Sequence, residues 1–209
     1  MRYLLYVSIF LLLFSCASPY KKLEKTVGDL SCVQQFRPVF TTAMYNAQVD
    51  VVGNHISGIL LLKTMPDSSI RLVFSAKTGL KFFDFGFTRD SGFKVYYILR
   101  QMDKQPFITA LRKDFELILL EHTAADKGYL LTGPGLHYYA FPQEKGVNYY
   151  ITDPACHQLI RIEKSSRRKV IVEAIMEQYS NGLPDTIGIS HKNFNFTIAL
   201  KRLENNAAR

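Results

Sequence analysis

From Thr41 onward, apolar side chains return at every second position, and turn-forming residues cut the runs at short intervals. Ala43, Tyr45, Ala47, Val49 and Val51 alternate with Met44, Asn46, Gln48 and Asp50. That is the two-residue repeat of a strand with one buried face. Gly53-Asn54 then signals a turn, and Ile56 to Met65 answers as a second strand. Pro66-Asp67-Ser68 leads into Ile70, Leu72 and Phe74; Lys77-Thr78-Gly79 into Leu80 through Phe87; Asp90-Ser91-Gly92 into Phe93 through Leu99. Five strands with such short connections predict an antiparallel meander.

The segment Gln105 to His122 breaks the alternation. Phe107, Leu111, Phe115 and Ile118 recur at steps of three and four, and Ile108, Leu117, Leu119 and Leu120 widen the stripe. Pro106 suits the first turn of a helix, and so broad an apolar surface predicts a helix that is mostly buried. Its carboxylates Asp114 and Glu116 stand two apart, face different ways and are expected on a solvated surface. Strands resume at Tyr129–Thr132, Leu136–Phe141, Val147–Thr152, His157–Glu163, Lys169–Met176, Ile187–Ser190 and Phe194–Leu200. Ahead of them all, Leu23, Val27 and Leu30 suggest a short amphipathic helix over Lys21 to Gln35, closed by Pro38.

The expected class is therefore mostly β within α+β. About 11–12 strands in one sheet curl into an incomplete antiparallel β-barrel, because so many twisted strands do not stay flat. An N-terminal helix and a long covering helix complete the plan. Neither a repeat nor a second domain is visible. The predicted organisation is a leader over 1–15, a tether over 16–22, a single domain over 23–203 and a frayed tail over 204–209.

The leader has its own logic. Arg2 precedes an unbroken apolar run ending at Ser15-Cys16, the order of parts in a secretory signal. The run is too short to span a bilayer, which takes roughly 20 apolar residues. Leu13-Phe14-Ser15-Cys16 resembles a bacterial lipobox, which implies that Cys16 is acylated and becomes the new N-terminus. An ordinary signal cut near Ala17 or Ser18 is the competing reading. No aspartate follows Cys16 directly, and by resemblance to Gram-negative lipoproteins this implies an outer-membrane anchor with the body facing the periplasm.

The formal charge of +8 ordinarily raises nucleic acid as a partner, but an exported chain does not meet it. Anionic lipid surfaces are the available counterpart, and a basic surface kept for solubility is the plainer alternative. An oxidising compartment permits a disulfide between Cys32 and Cys156. Sequence leaves open whether they pair or stay thiols, since it does not give the Cα separation.

Nothing in the chain favours catalysis. His55, His122, His137, His157 and His191 are scattered without metal-ligand spacing, and no GxSxG elbow occurs. Gly133-Pro134-Gly135 is a turn, not a phosphate loop. Neither a cofactor nor a metal is expected.

An acylated anchor, five strands, a long helix and a second run of strands together resemble the LolA/LolB family. Two stretches carry the likeness: Ser57-Gly58-Ile59-Leu60-Leu61-Leu62 through Ile70-Arg71-Leu72-Val73-Phe74, and Gly182-Leu183-Pro184-Asp185-Thr186-Ile187 followed by Phe194 to Leu200. The pattern from Ser57 to Phe85 is also similar to uncharacterised lipoproteins of Bacteroidetes-type bacteria. The family resemblance implies an incomplete barrel around an apolar cavity, acyl-lipid or lipoprotein cargo, and a periplasmic LolA-like carrier as partner. It also implies an exposed apolar residue on the loop between the third and fourth strands of the meander. Lys77 and Thr78 hold that tip, and Leu80 is the candidate for membrane contact.

Aromatic residues make up 13% of the chain, with no Trp, and Phe82, Phe83, Phe85, Phe87 and Phe93 crowd two adjacent strands. Such a lining suits acyl chains, which need apolar area without directional bonds. The candidate cavity wall is Tyr45, Leu60, Leu62, Leu72, Phe74, Phe83, Phe85 and Phe115. Whether that space is open or filled by the rings themselves is undetermined at this level. A filled interior would instead suit a non-catalytic interaction or scaffold lipoprotein of the envelope, with the basic turn Arg167-Arg168-Lys169 as a contact.

Overall fold

The two runs of strands join into one sheet. The structure, a computed structural model, describes residues 19–88, 92–166 and 169–203. The expected leader 1–15, the expected acylation site Cys16, the turn residues Arg167 and Arg168 and the tail 204–209 lie outside the described residues. The strands are β1 (Glu24–Thr26), β2 (Thr42–Val51), β3 (Asn54–Thr64), β4 (Ile70–Ser75), β5 (Lys81–Phe87) and β6 (Phe93–Ile98). Helix α1 (Gln105–Ile118) follows. Then come β7 (Tyr129–Gly133), β8 (Leu136–Pro142), β9 (Val147–Thr152), β10 (Leu159–Ser165), β11 (Val170–Ser180), β12 (Leu183–His191) and β13 (Phe196–Arg202).

All thirteen form one antiparallel sheet in the order β1-β7-β8-β9-β10-β11-β12-β13-β2-β3-β4-β5-β6. Its edges, β1 and β6, do not pair, so the barrel stays open. The two meanders meet where β13 pairs with β2, in a register running from Phe196 opposite Val51 to Arg202 opposite Tyr45. Because the last strand closes on the second, neither meander is a separate unit.

The N-terminal segment differs from the expected α-helix. Glu24–Thr26 adds to the free edge of β7, opposite Leu130 to Thr132, and only Leu30–Phe36 turns helical, as a 3-10 helix. Gly28 explains part of the break. A Cβ there would meet Leu130 Cδ2 at 2.5 Å, so glycine lets the chain lie against β7. Asp29 then caps the turn by accepting from the Ser31 amide at 2.8 Å. The 3-10 helix is stapled to the β9–β10 connection by a disulfide between Cys32 and Cys156, whose Cα atoms are 6.5 Å apart. That settles the pairing the sequence left open.

Helix α1 covers the concave face of the sheet and buries Ile108, Leu111, Phe115, Leu117 and Ile118. Asp114 and Glu116 are buried too, at 1% and 6% exposure, contrary to the expected solvated surface. Asp114 finds a partner distant in sequence, and Glu116 finds two on its own helix. His191 Nε2 lies 2.9 Å from Asp114 Oδ2, and Glu116 accepts from Arg112 Nε at 2.6 Å and Lys113 Nζ at 2.7 Å.

Candidate functional site

The residues named as the cavity wall meet on the concave face in two cross-strand rows. Tyr45 stands opposite Leu60, Leu60 opposite Phe74, and Phe74 opposite Phe83; Leu62 stands opposite Leu72, and Leu72 opposite Phe85. Side chains directly opposite on one face are the pairs that stabilise a sheet, and these rows bring bulky apolar groups to one wall. Phe115 reaches the rows from α1, its ring centroid 6.4 Å from that of Phe83. Phe83 stacks on Phe85 at 4.5 Å and packs against Phe74 at 5.4 Å. All eight residues are buried. Tyr45 keeps one polar atom satisfied, donating to the Pro184 carbonyl at 2.9 Å, and burial pushes its hydroxyl pKa up to about 12.

The rings largely fill the space they enclose. Between Leu60, Phe74, Phe83, Phe107, Phe115 and Leu200 a void of about 10 Å³ remains, barely the size of one water. Immediately outside it, at the end of the barrel where β2 turns into β3, lies an open groove of about 570 Å³. That volume lies within the range of small-molecule sites. Val51, Val52, Ile56, Phe82, Leu99, Met102 and Phe107 supply its apolar lining, and Asn54, His55, Gln101 and Lys104 its polar rim.

Sequence reasoning missed this groove, because its residues come from a hairpin tip and an irregular connection and belong to no periodic stripe. One signal was present in the sequence, the apolar Val52 beside Gly53 at a turn; the structure leaves Val52 73% exposed there. The turn is Val52–Gly53 and not Gly53–Asn54, with φ of 46° and 80°. A β-branched residue at positive φ is strained, and such strain gathers at functional sites.

Leu80 is half-exposed on a tight turn closed by the Ala76 amide donating to the Leu80 carbonyl at 2.8 Å. Beneath that turn, Lys77 borders a second, shallow groove of about 830 Å³ on the outer face of β11, β12, β13, β2 and β3. The stretch 71–85 that carried the sequence likeness also has an outer-face meaning. Arg71 holds the Asp84 carboxylate through two nitrogens, Nη2 at 2.9 Å from Oδ2, Lys81 adds a contact at 3.3 Å, and the Tyr96 ring lies 3.5 Å from the guanidinium. The Arg71 hydrogen bond holds the Asp84 carboxyl below its ordinary pKa.

Polar anchors hold α1 and the turns after it. Beyond the Asp114–His191 pair, the Tyr150 hydroxyl donates to the Leu117 carbonyl at 3.0 Å and Arg37 Nη2 to the Leu120 carbonyl at 2.8 Å. Burial raises the Asp114 carboxyl pKa, and its bond to His191 partly opposes that shift. Among the described residues, no side-chain hydrogen bond or ion pair ties Gln105 to Ala110 to the sheet.

No family model and no curated protein matches the chain. Solved structures do. A LolA superfamily protein from Nitrosomonas europaea aligns over 86% of this chain and 93% of its own, with 7% identity and a TM-score of 0.52. A DUF1329 family protein from Desulfovibrio piger aligns over 84% and 89%, with 8% identity and a TM-score of 0.45. A domain named for outer membrane lipoprotein sorting, from Vibrio parahaemolyticus, aligns over 85% and 94%, with 10% identity and a TM-score of 0.43. At such identity the first of these establishes a likeness of fold: this is a LolA-like open barrel.

Proposed function

We propose that the protein is an acyl-lipid-binding lipoprotein of the envelope. It is anchored through Cys16 to the outer membrane, faces the periplasm, and takes part in lipoprotein or lipid transfer without catalysing a reaction. The single observation that carries the reading is an apolar groove of about 570 Å³ opening directly onto a barrel interior built of aromatic and branched side chains. A LolA-like fold at the level of TM-score 0.52 supports it. Tyr45, Leu60, Leu62, Leu72, Phe74, Phe83, Phe85 and Phe115 form the wall in this account. Leu80 touches the bilayer, and a soluble LolA-like carrier would supply cargo.

Two measurements test it. Metabolic labelling with radioactive palmitate should mark the wild-type chain and not Cys16→Ser, and an unlabelled wild-type chain contradicts the anchor. A fluorescent acyl probe should bind the soluble form saturably, and Val52→Asp, an exposed change at the groove, should weaken it severalfold while leaving the far-ultraviolet spectrum unchanged. A probe that binds Val52→Asp as well as wild type contradicts the site.

A second reading has one observation in its favour. The enclosed void of about 10 Å³ is what a filled scaffold would show, and a non-catalytic envelope interaction lipoprotein needs no more. Stable co-purification of a protein partner with a lipid-free chain would select it.

A further inference from the structure

Met102 and Phe107 line both the open groove and the small inner void, and among the described residues no other lines both. They are the partition between solvent and the barrel interior at this end. Both are half-buried, and neither is clamped by a polar side-chain contact. Met102 sits in a tight turn, its amide donating to the Leu99 carbonyl at 2.7 Å, and its unbranched side chain adapts readily to new neighbours. Phe107 rests against Phe196 at 5.8 Å in the first, uncapped turn of α1.

The anchors of α1 are distributed unevenly. Asp114, Leu117 and Leu120 carry the polar ties to β12, β9 and the segment after the 3-10 helix, while the first six residues have none among the described residues. The N-terminal end of the helix is thus the end held by apolar contacts alone. The groove beside that end is apolar within and bears one lysine at its rim, Lys104, which is exposed. The other basic candidate, His55, is already bonded to Asp50 at 2.7 Å.

We propose that this groove is the portal for one acyl chain bearing an anionic head, with Met102 and Phe107 as the gate and Lys104 as the head contact. The chain enters tail first between the β2–β3 hairpin and the β6–α1 connection, displaces the two gate side chains, and extends along the two aromatic rows. This deepens the lipid-binding reading and rests on it.

The absence of Trp in the sequence allows a direct test. Gln101→Trp places a lone fluorophore at the portal. Tyr179→Trp places one near the opposite strand ends, roughly 20 Å away for a six-residue offset along β13. Stearic acid carrying a nitroxide near its carboxyl should quench Gln101→Trp and leave Tyr179→Trp unchanged. Lys104→Glu should weaken binding of this acid by up to about fivefold, the scale of an exposed ion pair, and leave binding of its methyl ester unchanged. With bound lipid verified by native mass, three results overturn the portal: quenching at Tyr179→Trp, equal quenching at both, or quenching at neither. If no lipid mass binds to wild type at all, the functional reading itself fails and the portal falls with it.

Discussion

Val52 and Asp84 show how single positions record opposite pressures. Val52 holds φ at 46° in a two-residue turn followed by Gly53, where Asn-Gly is the favoured pair. Val52→Asn should therefore raise the stability by about 1 kcal/mol, since it removes a strained β-branched residue from positive φ. A thermal melt that fell instead would mean the valine is held by packing. Asp84 is buried against Arg71 with its pKa lowered. The native state thus binds fewer protons there than the unfolded chain, so the stabilisation is present above the ordinary carboxylate range. It is lost as pH falls through the lowered native pKa. Denaturant midpoints followed from neutral pH into acid should fall more steeply for wild type than for Asp84→Asn, whose midpoint should already be lower at neutral pH.

At the level of elements, what could be read from the chain depended on how far away each residue's partner lies. The alternation in β2 to β5 marked which residues face inward, because each strand's inner face is set by its own neighbours and a one-residue slip would turn them outward. Helix α1 was equally legible from its stripe. Strand β1 was not, because Glu24–Thr26 becomes a strand only through β7, about a hundred residues later. The burial of Asp114 was hidden for the same reason, its partner being His191. The disulfide joins positions 124 residues apart, and reducing it should lower the stability by about 2–4 kcal/mol, the usual range for such a cross-link. Urea titration with and without reductant measures this, and coincident curves would show that the 3-10 helix needs no staple. Tyr150→Phe should cost about 1 kcal/mol by removing the hydroxyl's bond to the Leu117 carbonyl, with the loss read in the same titration.

For the molecule as a whole, an open sheet with its last strand closed on its second makes a single concavity and one long helix to fill it. The interior is packed to a void of about 10 Å³, so a bound acyl chain must displace side chains as it enters. Affinity on this account comes from apolar area at about 25 cal/mol per Å², reduced by the work of separating α1 from the rings it touches. The most direct measurement is native mass spectrometry of the soluble form beginning at Ala17, purified from a Gram-negative periplasm. The account predicts a defined added mass matching an acyl lipid or a triacylated peptide, with reduced occupancy in Val52→Asp. A bare polypeptide mass that stays unchanged after acyl lipid is added would contradict it.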